Sequence, residues 1–296
     1  MTQKIIPNLW FDSDAEEAAK FYITLFEDSM IKQISRYGKS GSDVAGKSEG
    51  SVMTVHFSLS GHELIALNGG PVFKFSPAIS LYVACETPEE VGRLFAALSE
   101  KGTVLMPLDR YPFSERYAWI NDRYGLSWQL FCGGAKQKIT PCLLFVKEHY
   151  GKTREAMDYY QSVFGSTDRL NVTPYDKGEG EIDGALKHAE FSLAGEWFIA
   201  MDSGFAHEFS FTPAISFMVN CRDQTEIDRL WKLLSAVPEA EQCGWLQDRF
   251  GISWQIIPAD WASMTEGKSP EKIERMMKTM FQMKKFDIET LRKTLE

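Results

Sequence analysis

Residues 54–68, TVHFSLSGHELIALN, return in the second half of the chain as residues 188–202, HAEFSLAGEWFIAMD. Residues 117–132, YAWINDRYGLSWQLFC, return in the same way as residues 243–258, CGWLQDRFGISWQIIP. Each copy has about the length of an ordinary domain, which is much longer than the repeat of a solenoid protein. The sequence therefore predicts two duplicated domains, at residues 1–134 and 135–258, and a C-terminal tail at residues 259–296.

The composition is that of a globular protein without a basic surface. Hydrophobic residues make up 44% of the 296 residues, which is ample for two packed cores. The net charge of −9 indicates no excess of Lys and Arg for binding nucleic acid or acidic membranes. The chain has no apolar stretch long enough to cross a membrane, and its first residues do not resemble a signal peptide. We therefore expect a cytoplasmic protein that binds neither nucleic acid nor membranes.

The cysteines indicate neither a disulfide framework nor a zinc site. There are five of them, an odd number, and none has the C-x-x-C spacing. We expect reduced thiols in the core. Cys243 is the candidate for a reactive thiol, because it follows a loop and opens a repeated motif.

Each copy is predicted to contain two modules of one pattern, βαβββ. Residues 4–11, KIIPNLWF, are rich in strand-forming residues, and residues 15–26, AEEAAKFYITLF, have apolar residues at helical spacing. Three alternating segments follow, and the same order begins again near residue 78. We interpret residues 38–50, GKSGSDVAGKSEG, as a loop, since the strand pattern after them does not fit a phosphate-binding loop. The tail is predicted to form a helix from Ser269 to Met283 and a short helix from Asp287.

The repeated Asp-Arg-aromatic-Gly sequence, at residues 122–125 and 248–251, resembles a catalytic motif at first sight. Asp and Gly are also the natural residues of a tight turn between two strands, because Gly adopts positive φ and Asp bonds to its own backbone. We therefore interpret both copies as structural hairpins.

Three segments carry a resemblance to a known family: AEEAAKFYITLF at 15–26, IALNGGPVFKFSPAIS at 65–80 and CGWLQDRFGISWQIIP at 243–258. They resemble the PhnB-like branch of the vicinal oxygen chelate (glyoxalase/bleomycin-resistance) superfamily, many of whose members are labelled 3-demethylubiquinone-9 3-methyltransferase. The resemblance implies an α+β protein of tandem glyoxalase-like domains, in which each domain uses two βαβββ modules to form a curved sheet cup. It also implies an internal pseudo-dimer of the two copies, with a homodimer of the chain as the alternative.

The metal-dependent enzymes of the superfamily hold a divalent ion with four side chains in each cup. The resemblance places these positions at Pro7, Ala66, Ala78 and Gln129 in the first copy, and at Pro141, Ala200, Ala214 and Gln255 in the second. Only the glutamines have a ligating atom, so we expect no metal. The chain also lacks the Gly-rich turn after a strand that usually binds S-adenosylmethionine, so we expect no cofactor.

Strand alternation brings a few polar residues to one face of the predicted cups. His56 and Glu190 occupy equivalent positions in the two copies, and each is a candidate general base. The alternative for both is a position in solvent or a bond to a neighbouring strand. The candidate ligand-binding residues are Asn68, Tyr82, Ser127, Gln129, His188, Asp202, Ser253 and Gln255.

These features favour a protein that binds a small apolar or aromatic organic molecule in a sheet cup, with or without a metal-independent reaction. Three alternatives stay open. One is non-catalytic sequestration of a small molecule or antibiotic, as in the bleomycin-resistance relatives. The others are the methyltransferase activity of the family label and a metal-dependent lyase or dioxygenase.

Overall fold

The computed structural model describes residues 3–176, 178–179 and 181–296, and it is an α+β protein with two large sheets. The first copy of the repeat contains β1 (Ile5–Phe11), α1 (Ala15–Ile23), β2 (Met30–Arg36), α2 (Lys39–Ala45), β3 (Val52–Leu59), β4 (His62–Asn68), β5 (Ile79–Cys85), α3 (Pro88–Leu98), β6 (Thr103–Tyr111), β7 (Ser114–Asn121) and β8 (Ser127–Cys132).

The second copy contains β9 (Ile139–Phe145), α4 (Thr153–Phe164), β10 (Arg169–Pro174), β11 (Leu186–Leu193), β12 (Glu196–Asp202), β13 (Ile215–Cys221), α5 (Gln224–Leu234), β14 (Trp245–Gln247) and β15 (Ser253–Pro258). The tail forms α6 (Trp261–Thr265), α7 (Pro270–Phe281) and α8 (Ile288–Lys293). The α+β class and the tandem duplication predicted from the sequence are confirmed. Among the described residues, none of the helices has the length and apolar character needed to span a membrane.

Each sheet is built from one module of each copy. Sheet A has the strand order β14-β15-β13-β1-β4-β3-β2, and sheet B has the order β10-β11-β12-β9-β5-β8-β7-β6. The two modules of sheet A meet where β1 pairs antiparallel with β13, and those of sheet B meet where β5 pairs antiparallel with β9. The modules therefore combine across the copies, whereas the resemblance implied that both modules of one copy share a cup. The copies cannot separate without splitting both sheets, so they form the internal pseudo-dimer within one chain.

The two faces of each sheet differ in what they contact. In sheet A, Leu9, Val55 and Phe57 belong to one buried cluster with Ala18 and Tyr22 of α1. Because successive side chains of a strand point to opposite faces, the residues between them point away from the helices. We call the helix-covered side the inner face and the other side the outer face.

The repeated turns hold each copy together. Asp122 Oδ1 accepts hydrogen bonds from the backbone N–H groups of Tyr124 and Leu126 within the turn between β7 and β8. Its Oδ2 accepts hydrogen bonds from Trp128 Nε1, in sheet B, and from Tyr22 Oη, on the helix that covers sheet A. The structural interpretation of this motif is confirmed, and its role extends beyond the turn to the contact between the sheets.

Residues 38–50 differ from the predicted loop, because they contain α2. Gly38 precedes the helix, and Gly46 ends it with a φ of 62°. The backbone N–H of Ser40 donates to Glu274 Oε1 on α7 at 2.8 Å, and the Ser40 hydroxyl bonds to the same oxygen. A carboxylate stabilises the N-terminus of a helix. This partner lies far along the chain, so the local sequence does not indicate it.

The fourth module lacks a strand equivalent to β6. A short 3-10 turn at Pro238–Ala240 stands in its place. The carbonyl groups of Met283 and Lys284, just after α7, accept hydrogen bonds from the N–H groups of Cys243 and Gly244. The tail therefore supplies the backbone partner that an edge strand would otherwise supply. The predicted tail helices are confirmed to within a few residues.

All five cysteines are free thiols. Cys243 is half-buried, and burial raises the pKa of its thiol. A raised pKa disfavours the reactive thiolate, so the structure does not support Cys243 as a reactive residue.

Candidate functional site

A row of polar residues crosses the outer face of sheet A. The strand pairs place His56 beside Ile65, Ile65 beside Asn8, and Asn8 beside Ser216. The next pair continues the row from Ser216 to Ser253. Side chains directly opposite each other on neighbouring strands have Cβ atoms about 5 Å apart, so adjacent members of the row are within contact distance.

Asn8 has a buried amide oxygen without a partner. The residue is only 4% exposed, and no described residue forms a hydrogen bond with its Oδ1. Most buried polar atoms in proteins have a partner, and one that lacks it costs about 1–3 kcal/mol. Asn8 therefore lowers the stability of the protein where it stands, which is typical of a residue retained for binding.

A second carboxamide bonds to Ser216, the cross-strand neighbour of Asn8. Gln255 Nε2 donates to Ser216 Oγ at 2.9 Å, and this bond fixes the orientation of the Gln255 side chain. No donor among the described residues reaches Gln255 Oε1. Met218 on β13 is the cross-strand neighbour of Gln255, and its neighbour on β1 is Ile6.

Aromatic side chains form a wall next to these groups. Trp10 meets Phe73 edge-on with ring centroids 4.9 Å apart, and meets Trp245 edge-on at 6.0 Å. Trp10 Nε1 donates to the carbonyl of Gly70 at 2.8 Å, which fixes its ring. A Cβ at Gly69 would lie 2.2 Å from that ring, so the close approach requires glycine. Trp245 is the cross-strand partner of Gln255, which places the wall directly beside the carboxamides.

His56 lies at the side of the same row and is half-buried. Its Nε2 is 2.7 Å from Glu63 Oε2, and Lys32 Nζ is 2.6 Å from Glu63 Oε1. Burial alone would raise the pKa of Glu63, but Lys32 and His56 together lower it. Glu63 is therefore a carboxylate that lies within hydrogen-bond distance of His56 and orients its ring.

The outer face of sheet B is filled by its own side chains. Tyr82, Tyr117, Cys142 and Ile199 form a buried cluster. The part-buried residues packed around it are Met106, Tyr111, Trp119, Phe131 and Met201. Because this face is covered by large side chains, it leaves little room for a ligand.

The polar groups of sheet B are also paired with one another. Tyr117 Oη donates to Gln129 Oε1 at 2.7 Å, and Gln129 Nε2 donates to Ser80 Oγ at 2.9 Å. Trp119 Nε1 donates to Ser127 Oγ at 2.9 Å. Burial raises the pKa of the Tyr82 hydroxyl far above its usual value. This set is therefore satisfied without a ligand.

Glu190 lies on the outer face of sheet B, at the place equivalent to His56 in sheet A. It is 3.2 Å from His188 Nε2 and accepts a hydrogen bond from Asn171 Nδ2 at 2.7 Å. The hydrogen bond from His188 is the chief cause of a lowered Glu190 pKa. A lowered pKa makes a carboxylate a weaker base, so Glu190 is poorly suited to proton abstraction.

The structure places Asn68 and Asp202 on the inner faces, where their side chains bind backbone groups. Asn68 Oδ1 accepts a hydrogen bond from the N–H of Ala15, at the first turn of α1. Asp202 accepts hydrogen bonds from the N–H groups of Gly151 and Thr153 at the start of α4, and from that of Leu186. Both residues hold a helix to its sheet, so they do not belong to a ligand-binding face as we expected.

The metal positions implied by the resemblance do not form one set. Ala66 is part of the helix-covered core. Pro7 lies between the sheets, because strand alternation turns Pro7 inward and the next residue, Asn8, outward. Gln129 lies in a different sheet from Pro7, since the modules combine across the copies. Among the described residues, no three His, Cys, Asp or Glu side chains are grouped to hold a metal. Carboxamides and a serine hydroxyl on the outer face of sheet A do not fit a catalytic transition metal.

Four residues of this face were missed by sequence reasoning: Asn8, Trp10, Ser216 and Trp245. Residues 5–11, IIPNLWF, are apolar on both sides of the strand except at Asn8, so alternation does not show which side faces the helices. The single polar residue in such a strand was the signal available.

Comparisons with known proteins identify the family. The profile of the family described as 3-demethylubiquinone-9 3-methyltransferase matches the chain twice, at residues 3–131 and 137–257. No protein of curated function matches the chain. A PhnB protein from Bacillus cereus is 45% identical over 44% of this chain and 100% of its own, with a TM-score of 0.41. A glyoxalase I variant from Zea mays is 9% identical over 87% of this chain and 94% of its own, with a TM-score of 0.51.

The glyoxalase I likeness concerns the fold alone, because its sequence identity is low. The profile match covers most of the chain and includes both copies of the repeat. The chain therefore belongs to the 3-demethylubiquinone-9 3-methyltransferase-like (PhnB) family, of which it carries two tandem copies in the vicinal oxygen chelate fold.

Proposed function

We propose that the protein binds one small apolar or aromatic organic molecule on the outer face of sheet A. The observation that carries this proposal is the buried, unpartnered Asn8 Oδ1 in the middle of that face. Small-molecule sites combine apolar and aromatic walls with a few placed polar groups. Trp10 and Trp245 supply such a wall, and Asn8 and Gln255 supply such polar groups.

The difference between the two sheets supports a single site. At the place of Asn8, sheet B has Cys142, which belongs to a closed cluster. At the place of Met218, sheet B has the larger side chain of Tyr82. The large side chains of sheet B thus occupy the space on its outer face that a ligand would occupy on sheet A. Of the candidate ligand-binding residues, the proposal therefore retains Ser253 and Gln255.

A metal-independent reaction is a second candidate, and His56 favours it. His56 is oriented by Glu63 and lies in the polar row two strands from Asn8, which is roughly 10 Å at the usual strand spacing. A ligand that spans the row would bring one end within reach of the imidazole. Binding without reaction needs only the carboxamides and the aromatic wall, so sequestration requires fewer groups than catalysis.

The family description raises methyl transfer as a further candidate. S-adenosylmethionine carries an ammonium and a carboxylate besides its sulfonium, whereas Asn8, Ser216 and Gln255 of the proposed site bring no charge to pair with either group. This chemistry favours an uncharged ligand over that cofactor.

The proposal is tested by ligand binding to the full chain and two variants. A panel of uncharged mono- and bicyclic aromatic compounds is screened by thermal shift, and the stoichiometry of each hit is measured by calorimetry. A ligand at 100 times its Kd stabilises the folded state by about 2.7 kcal/mol, which is a readily measured shift. We expect one molecule per chain, with affinity lost in Asn8→Leu and kept in Cys142→Ala, the matched change in sheet B. Equal affinity for Asn8→Leu and the wild type would refute the site, and turnover of a hit that His56→Gln abolishes would establish the reaction.

A further inference from the structure

We infer that the ligand of sheet A is a phenol, which donates its hydroxyl hydrogen to Gln255 Oε1. The inference rests on the proposed binding at sheet A and names the chemical class of the ligand. It follows from a comparison of the two outer faces. In sheet B a tyrosine side chain donates to the equivalent glutamine, and sheet A has no such tyrosine.

The two sheets share the same carboxamide arrangement. In sheet B, Gln129 Nε2 donates to Ser80 Oγ at 2.9 Å, and in sheet A, Gln255 Nε2 donates to Ser216 Oγ at 2.9 Å. In both copies the glutamine follows the repeated Ser-Trp, and its strand pairs with that of a tryptophan. The amide nitrogen is thus used in the same way in both sheets, and in each the amide oxygen remains as an acceptor.

The partner of that oxygen differs between the sheets. In sheet B, the phenol of Tyr117 donates to Gln129 Oε1 at 2.7 Å. The repeat aligns Tyr117-Ala118-Trp119 with Cys243-Gly244-Trp245, so cysteine stands at the place of this tyrosine in sheet A. The Cys243 thiol instead lies 3.6 Å from the carbonyl of Met280 on α7, so it does not serve Gln255. The oxygen of Gln255 is left for a donor from outside the chain.

Sheet A also lacks the large side chains that surround the Tyr117 ring in sheet B. Met218 stands at the place of Tyr82, and the fourth module lacks the strand that brings Met106 and Tyr111 to sheet B. Methionine is flexible and adapts its shape to an aromatic neighbour. A phenol ring beside Trp245 would therefore take the role that the ring of Tyr117 has beside Trp119.

Asn8 predicts a second polar group on the same ring. In sheet B, the equivalent residue Cys142 lies 3.4 Å from Gln129 Nε2, so this position adjoins the glutamine amide. A carboxamide at that position in sheet A offers a donor and an acceptor next to the phenol hydroxyl. A polar substituent ortho to the hydroxyl would use the group that the protein leaves without a partner.

The inference is tested with 4-fluorophenol and 4-fluoroanisole, which differ by the hydrogen that the phenol donates. Binding of each to the full chain is followed by the fluorine NMR signal of the probe. One net hydrogen bond changes affinity by up to about 10-fold, so we expect 4-fluorophenol to bind several-fold to about 10 times more tightly. Gln255→Met should remove this preference, while Gln129→Met, the matched change in sheet B, should keep it, because that oxygen serves Tyr117.

The possible outcomes separate this inference from the proposed function. Equal affinity for the two probes, lost in Asn8→Leu, would refute the phenol and retain the binding site. Binding of neither probe, or binding that Asn8→Leu leaves unchanged, would overturn both. A preference for 4-fluorophenol that persists in Gln255→Met would refute Gln255 as the acceptor and, with it, the inference.

Discussion

Tyr160 Oη lies 2.8 Å from Asp248 Oδ2, and this hydrogen bond joins two modules that belong to different sheets. Tyr160 is on α4, which packs against sheet B, whereas Asp248 lies in the turn before β15 of sheet A. The same oxygen accepts a hydrogen bond from Trp254 Nε1 at 2.7 Å. The repeated Asp-Arg-aromatic-Gly turn is therefore the connection that keeps each copy together although its modules pair elsewhere.

Removing the charge of Asp248 should destabilise the fold. In Asp248→Asn, the amide nitrogen that replaces Oδ2 cannot accept the hydrogen bond of Trp254 Nε1, and the Tyr160 hydroxyl must turn from donating to accepting. Each buried donor left without an acceptor costs about 1–3 kcal/mol. We expect the free energy of unfolding to fall by about 3 kcal/mol, measured by urea denaturation. Tyr160→Phe is the milder comparison, with an expected loss of about 1 kcal/mol, and a larger loss for Tyr160→Phe than for Asp248→Asn would contradict this account.

Glu196 predicts a pH dependence of stability that one substitution isolates. Burial raises the pKa of Glu196 to about 7, although the backbone N–H of Lys4 bonds to its carboxyl group. A carboxyl group whose pKa is higher in the folded than in the unfolded state binds more protons when folded. Its effect on stability is therefore most favourable below pH 4 and is lost as the pH rises from about 4 to 7.

The test compares wild type and Glu196→Gln by urea denaturation at pH 5 and pH 8. Gln keeps an oxygen that accepts the Lys4 hydrogen bond but carries no charge. We expect Glu196→Gln to be more stable than the wild type at pH 8, with a smaller difference at pH 5. An advantage that shrinks as the pH rises would show that Glu196 is not the group responsible.

The sequence predicted the fold well because each strand and helix pattern occurs in both copies of the repeat, so one copy supports the interpretation of the other. The strand alternation at residues 54–68 and the helical spacing at residues 15–26 are local patterns, and the elements they predicted are present as β3, β4 and α1. The exchange of modules was not predictable from such patterns. It depends on whether β1 pairs with β13 or with β5, and these two strands are copies of one repeated segment, AISLYVAC at 78–85 and AISFMVNC at 214–221.

The site was predicted only in part for a related reason. Gln255 and Ser253 were candidates from the sequence because the strand that contains them alternates clearly, and both lie on the outer face of sheet A. Asn8 and Ser216 lie on central strands, where both faces of the sheet are buried and alternation carries no signal. Asn68 and Asp202 were assigned to the wrong face, since polar residues that bond helix N-termini look the same in sequence as residues that face a ligand.

The bond between Glu274 and Ser40 should control the order of α2. Glu274 accepts the backbone N–H of Ser40 at 2.8 Å and so connects α7 to the first turn of α2. Glu274→Ala removes this contact, while Arg275→Ala changes an exposed neighbour on the same helix. We expect faster hydrogen exchange of residues 39–45 in Glu274→Ala, and a loss of about 1 kcal/mol in the free energy of unfolding. Unchanged exchange in that segment would show that apolar packing alone holds α2.

Asn8 is proposed to bind the ligand, but its unpartnered oxygen lowers the stability of the ligand-free protein. This loss of stability is measurable without a ligand. Asn8 Oδ1 is buried and unpartnered, and Leu has the same branching at Cγ with a larger volume and no polar atom. Replacing an unsatisfied buried amide by an apolar group of similar shape removes its desolvation cost. We therefore expect Asn8→Leu to raise the free energy of unfolding by about 1–2 kcal/mol. Urea denaturation of the ligand-free protein measures this change.

The matched control is Cys142→Leu, at the equivalent position in sheet B. Cys142 is already an apolar member of a filled cluster, so the larger Leu should overpack that face and cost about 1–3 kcal/mol. Opposite signs for the two substitutions are expected if sheet A is built around an absent ligand and sheet B around its own side chains. Destabilisation in both would mean that Asn8 is satisfied in solution, and would remove the main argument for a site in sheet A.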